Sequence, residues 1–162
     1  MTDRLRTAVL AALASFGWGC VQDPVIPKAR VDPIVLSIAV STTTFRQGKP
    51  DTIRVTATSS FTQPVVLLFN NDCQILVTIR SAAGLPVVPP NGQPTCIPVV
   101  SQLRIPAEGS VTQQFVWTGL DRFLPTGSTT LLPPGTYFIS AAINATNYST
   151  FAPALKVELV AP

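Results

Sequence analysis

Residues 131–143 read LLPPGTYFISAAI. Two prolines and a glycine stop whatever precedes them and turn the chain, and from Tyr137 onward the side chains alternate as a half-buried strand requires. Tyr137, Ile139, Ala141 and Ile143 fall on one face. A tyrosine at the head of such a strand puts its ring inside, and its hydroxyl then needs a backbone partner close by. The rest of the chain can be laid out around this strand, read as 136–144.

On its N-terminal side, residues 118–134 carry Gly119, Gly127 and three prolines and read as a long loop. Before it, Val111, Phe115 and Trp117 share a face that Gln113 interrupts, and Leu103 and Ile105 precede a turn at Ala107-Glu108-Gly109. On its C-terminal side, Leu155, Val157 and Leu159 alternate with Lys156 and Glu158. Nearer the start, Leu36, Ile38 and Val40 share a face. QGKPD at 47–51 supplies a turn, and Ile53, Val55 and Ala57 stand opposite Arg54, Thr56 and Thr58. The run PVVLLFN at 64–70 is apolar on both faces and is expected to be a central strand buried on both sides, the alternative being a strand that faces a partner. Asn70, Asn71 and Asp72 turn the chain, and Ile75, Val77 and Ile79 resume the alternation before Gly84. About eight strands with turn residues at intervals of about eight to twelve positions, and no helix beyond the N-terminal segment, describe an all-β sandwich or barrel. A chain of 162 residues, 46% hydrophobic and only 12% charged, can bury one sizeable core. One domain over residues 34–162 is expected. The Pro-Gly turn followed by Tyr137 at the head of a late strand resembles the tyrosine corner of an immunoglobulin-like antiparallel sandwich.

The N-terminus, MTDRLRTAVLAALASFGWGC, has a short head carrying Arg4 and Arg6, an apolar run, then small residues. That is the pattern of a secretory signal over residues 1–19. The uncharged run from Thr7 to Gln22 is shorter than the ~20 residues a membrane-spanning helix needs, and it contains Gly17 and Gly19. Gly19-Cys20 resembles the end of the bacterial lipoprotein lipobox, although Gly17 and Trp18 depart from it. The resemblance implies a lipid on Cys20 and hence a membrane attachment. Three cysteines in an exported chain leave one unpaired, and lipidation of Cys20 removes the odd one. Cys73 and Cys96 are then expected to form a disulfide around the proline-rich excursion 84–98. Residues 20–33, with Pro24, Pro27 and Pro33 and no period, read as an extended tether. Export to the bacterial envelope, periplasm or outer membrane, follows as the expected location.

The chain contains no histidine, which excludes serine–histidine and cysteine–histidine catalysis and histidine-based metal sites. The carboxylates of the body, among them Asp51, Asp72, Glu108 and Asp121, are isolated and mostly at turns, and nothing in their spacing asks for a glycosidase pair. Removing Arg4, Arg6 and Asp3 with the leader takes two positive charges and one negative from +3 and leaves +2, without a basic cluster. Neither a phosphate-tracking patch nor a base-stacking platform is visible, so no nucleic-acid partner is expected. Neither a cofactor nor a metal is expected, and the chain reads as a monomer. Asn144-Ala145-Thr146 and Asn147-Tyr148-Ser149 are sequons by pattern and need no function.

Phe115, Trp117-Thr118-Gly119, Gly127 and Leu132-Pro133-Pro134-Gly135-Thr136-Tyr137, with weaker echoes at Phe69-Asn70-Asn71-Asp72-Cys73 and in the strand running to Gly84, carry a resemblance. Over residues 36–160 the chain resembles the BsuPI-type domain, an immunoglobulin-like sandwich named for an intracellular proteinase inhibitor. The excursion 85–98 departs from that pattern, and so does the export signal. The resemblance implies a non-enzymatic module that binds a protein, with proteinase inhibition as the alternative and a structural or carbohydrate-binding envelope module as a further one. Two loops could make the contact. One is 84–98, stiffened by Pro89 and Pro90 among others and tied at Cys96; the other is 119–130, which offers Arg122-Phe123.

Overall fold

The computed structural model describes residues 33–123 and 129–162. The leader, Cys20 and the tether up to Asp32 lie outside the described residues, as does Gly127. Eleven strands follow in chain order among the described residues: β1 (Ile34–Val40), β2 (Thr44–Arg46), β3 (Asp51–Ser59), β4 (Val65–Phe69), β5 (Leu76–Ser81), β6 (Pro86–Val88), β7 (Ser101–Ile105), β8 (Ser110–Trp117), β9 (Gly135–Asn144), β10 (Ser149–Phe151) and β11 (Leu155–Val160). A single 3-10 turn at Pro90–Gly92 is the only helical piece among them. Eight strands have five residues or more, matching seven runs read from alternation and the apolar run at 64–70. β2, β6 and β10 have three residues each, too few for a period of two to stand out.

One sheet has the order β1-β3-β8, a second β2-β11-β9-β5-β6 with β10 added to β9, and β4 and β7 form a two-stranded third. These orders correspond to the A-B-E and G-F-C-C′ sheets of the immunoglobulin plan, and the fold is an immunoglobulin-like sandwich. Pairing is antiparallel except where β2 runs parallel to β11. The alternation sets the faces. Ile53, Val55 and Ala57 of β3 are fully buried, while Thr56 on the wet face meets Thr112 across the ladder, oxygen to oxygen at 2.8 Å.

Aromatic rings join the two sheets. Trp117, at the end of β8, has no exposed surface; its ring lies 5.4 Å from Phe45 of β2 and 5.9 Å from Tyr137 of β9. Its indole N–H donates to the Leu120 carbonyl at 2.7 Å, so the polar atom is satisfied inside the core. Gly119 allows that return, because its φ is +81° and a Cβ there would come within 3.1 Å of the Leu159 side chain. The Tyr137 hydroxyl donates to the Pro133 carbonyl at 2.7 Å, the bond that defines a tyrosine corner.

The strand at 64–70 departs from expectation. Among the described residues β4 pairs only with β7 in a two-stranded ribbon; Leu67 and Phe69 are buried, but Val66 is 38% and Leu68 44% exposed. It is therefore not a central strand buried on both sides, because no layer stacks on the outer face of this ribbon. Its other edge is closed by a side chain rather than by a strand. Asn147 Oδ1 accepts the Leu68 N–H at 3.1 Å, Asn147 Nδ2 donates to the Val66 carbonyl at 3.0 Å, and the Thr146 N–H reaches the Leu68 carbonyl at 2.8 Å. One amide thus copies the donor and acceptor of a neighbouring strand and blunts an edge that would otherwise invite pairing.

Candidate functional site: a cleft beside the β5 edge

β5 and β6 form a hairpin whose turn is closed by Ser81 N–H to the Leu85 carbonyl at 2.9 Å and by Arg80 to the Gly84 carbonyl at 3.0 Å. The pairing stops early. Ile79 meets Val88, and Pro89, which has no N–H, cannot extend the ladder. The chain then makes the tight turn at Pro90–Gly92, in which Gly92 N–H donates to the Pro89 carbonyl at 2.9 Å. Asn91 and Gly92 take left-handed backbone angles there, φ 58° and 70°.

The excursion is pinned again at its far end. Cys73 and Cys96 are joined in a disulfide with their Cα atoms 5.6 Å apart. Next to it Asp72 and Ile97 exchange two bonds, Asp72 N–H to the Ile97 carbonyl at 3.1 Å and Ile97 N–H to Asp72 Oδ1 at 2.7 Å. Asp72 and the two sulfurs lie together, but sulfurs joined to each other offer no thiolate, so the trio has no metal-binding chemistry. Between its two pinned ends the excursion bows away from β5.

The bow leaves an open cleft of about 560 Å³. It is lined by Cys73, by Ile75 to Thr78, by residues 89–95, and by Phe115, Arg122 and Phe123. Residues of the two loops singled out from the sequence thus meet in one place, Pro89 and Pro90 from the excursion and Arg122 and Phe123 from the loop after β8. Phe123 is half-buried, its ring 5.5 Å from that of Phe115 and tilted by 53°. Arg122 Nε lies 3.2 Å from Asp121 Oδ1. Burial pushes the Asp121 carboxyl up, but the Thr130 backbone and the Arg122 guanidinium act against it and hold it below its ordinary value.

Residues 93–95 and 97–98 of the excursion, and Val99 and Val100 after it, are exposed on either side of Cys96. Tyr137 lies away from the cleft, under the aromatic core, and its role is structural. Phe115 and the β5 residues of the cleft were not legible as site residues. Both read as core positions, which they also are, and only the early end of β6 uncovers them on one side.

No family model matches the chain, and no curated protein matches it. Solved structures give likenesses of low identity. A β-glucosidase from Erythrobacter marinus is 11% identical with a TM-score of 0.47, over 78% of this chain and 15% of that one. The CARDB domain of a Pyrococcus furiosus protein is 14% identical with a TM-score of 0.48, over 78% of this chain and 87% of that one. An alkylpurine DNA glycosylase from Pseudomonas fluorescens is 12% identical with a TM-score of 0.45, over 79% of this chain and 30% of that one. The chain thus spans a small part of both enzymes, and likeness at this level carries no activity across.

Proposed function

We propose that this protein is a non-enzymatic binding module of the bacterial envelope, anchored through a lipid on Cys20 and taking a protein partner in the cleft beside β5. The observation that carries the reading is the convergence of Pro89, Pro90, Arg122 and Phe123 on one open cleft whose walls are held by a disulfide, a tight turn and packed rings. Restrained walls lower the ordering entropy that binding costs. The resemblance of residues 115–137 to a BsuPI-type domain also supports the reading, the disulfide-tied excursion being this chain's departure from that pattern. The two rings in the cleft pack on each other at a tilt, which suits an apolar anchor point better than a flat sugar-stacking platform.

The test is capture from envelope extract with the oxidised protein and with Phe123→Ala and Pro90→Ala variants. A partner held by the unaltered protein and lost at least tenfold by the cleft variants supports the reading. Capture that is indifferent to both variants removes the cleft from it.

Proteinase inhibition is the second reading, and one feature favours it. Residues 93–100 are largely exposed and tied at Cys96 and Ile97, as a substrate-like segment must be to resist release. Half-buried Phe123 is less available for insertion into a proteinase pocket. Stoichiometric inhibition of a serine proteinase, abolished by reduction, would place this reading first; cleavage without inhibition would remove it.

A further inference from the structure

We propose that the cleft is filled by strand addition: an extended segment of the partner polypeptide pairs with the open edge of β5 at Val77. This deepens the protein-binding reading and rests on it. The backbone directions follow from three bonds and the strand register. Ala152 N–H donates to the Ala141 carbonyl at 2.8 Å, so the backbone of Ala141 points toward β10 and away from β5. Val77 is the register partner of Ala141. The pair is therefore of the non-hydrogen-bonded kind, and the N–H and C=O of Val77 point away from β9. The hairpin agrees, since Ser81 N–H donates to Leu85 and Gly84 N–H to the Ser81 carbonyl, both on the β6 side. Backbone groups alternate sides along a strand, so Ile79 and Val77 face the same way as Ser81.

Ile79 finds Val88 there. Val77 finds the cleft. No β partner meets its N–H and C=O among the described residues, and Val77 lines the cleft. A strand-edge backbone pair without a ladder partner is completed by water or by an added strand. Few donors face the gap from the excursion, because Pro89, Pro90 and Pro94 carry no N–H and the N–H groups of Gly92 and Gln93 go to the Pro89 and Pro90 carbonyls.

The occupant must bring one carbonyl and one N–H at strand spacing, and a single non-proline residue of an extended polypeptide brings both. The side chain of that residue lies on the same face as the buried Val77, the inner face of the sheet, where Phe115 and Phe123 also line the cleft. The open edge is short: between Cys73 and Ile79 only Leu76 to Thr78 belong to β5, on the order of 10 Å at strand rise. A segment of about three residues fits before the disulfide and Pro89 turn it outward.

A display library of random linear heptapeptides, selected against the intact oxidised protein, supplies the probe. Enriched peptides are expected to slow hydrogen exchange of the Val77 amide at least tenfold, with the Ile139 amide unchanged, and to lose at least tenfold in affinity when one peptide nitrogen is methylated but not when its neighbour is. Val77→Pro removes the edge N–H while leaving the β9 ladder intact and should weaken the same peptides. If that variant fails to fold, the exchange and methylation readouts on the unaltered protein still decide. Peptides whose binding depends on Phe123 but leaves Val77 exchange unaltered would overturn strand addition and leave the binding module standing. No enrichment at all would overturn it too, while capture from envelope extract tests the broader reading separately.

Discussion

Tyr137 concentrates the residue-scale chemistry. Its ring touches Trp117 and its hydroxyl donates to Pro133, so Tyr137→Phe keeps the packing and removes one hydrogen bond. The expected loss is about 1–1.5 kcal/mol in urea unfolding, the net worth of one partly buried bond. Burial also raises the Tyr137 hydroxyl above its ordinary value of 10.0. A raised folded value means that the contribution is fully present below about pH 10, the ordinary value, and is lost as the pH climbs through the folded one. Thermal unfolding followed across alkaline pH should therefore fall less steeply in Tyr137→Phe than in the parent. Tyr137 was legible because a tyrosine after Pro-Gly has few other uses. Asn147 was not, since its sequon pattern says nothing about the two backbone groups of β4 that its amide bridges.

At the scale of elements, β4 and the excursion after β5 behave in opposite ways. β4 is apolar on both faces, yet only one face is packed. Leu67→Ala should cost about 2–5 kcal/mol by leaving a cavity. Leu68→Lys should change stability by no more than about 0.5 kcal/mol, as surface substitutions do. Paired urea titrations check both; a large loss in Leu68→Lys would mean that a hidden layer covers the ribbon. The excursion depends on cross-links instead of burial. Replacing Cys73 and Cys96 together by serine should cost roughly 3 kcal/mol by releasing the loop they close. Hydrogen exchange should rise at residues 93–97 while β9 keeps its protection, because most of the alternating core lies outside that loop, only Ile75, Val77, Ile79 and Val88 falling within it. Equal loosening of β9 would contradict this.

For the whole molecule, the described residues form the sandwich and the proposed anchor lies ahead of them. Cys20→Ser is expected to move the protein from the membrane fraction to the soluble fraction, since the two or three chains of a bacterial lipoprotein hold firmly where a single chain binds marginally. An intact mass with an unmodified mature terminus upstream of Cys20 would refute the anchor. Alternation along single strands settled the fold class, seven of the eight longer strands and most of the core, because a period of two is local and an alternating strand declares its buried face without reference to its neighbours. Cysteine parity reached the disulfide for a similar reason: counting requires no coordinates. The sequence alone could not tell that β4 would lie on a ribbon with nothing stacked over it, that β6 would stop at Val88, or that two loops more than twenty residues apart would face each other across β5. Those facts depend on which edges remain uncovered once the sheets have formed. Coverage belongs to the assembled layers, so the tertiary structure alone decided where the cleft is and left the backbone of Val77 open to it.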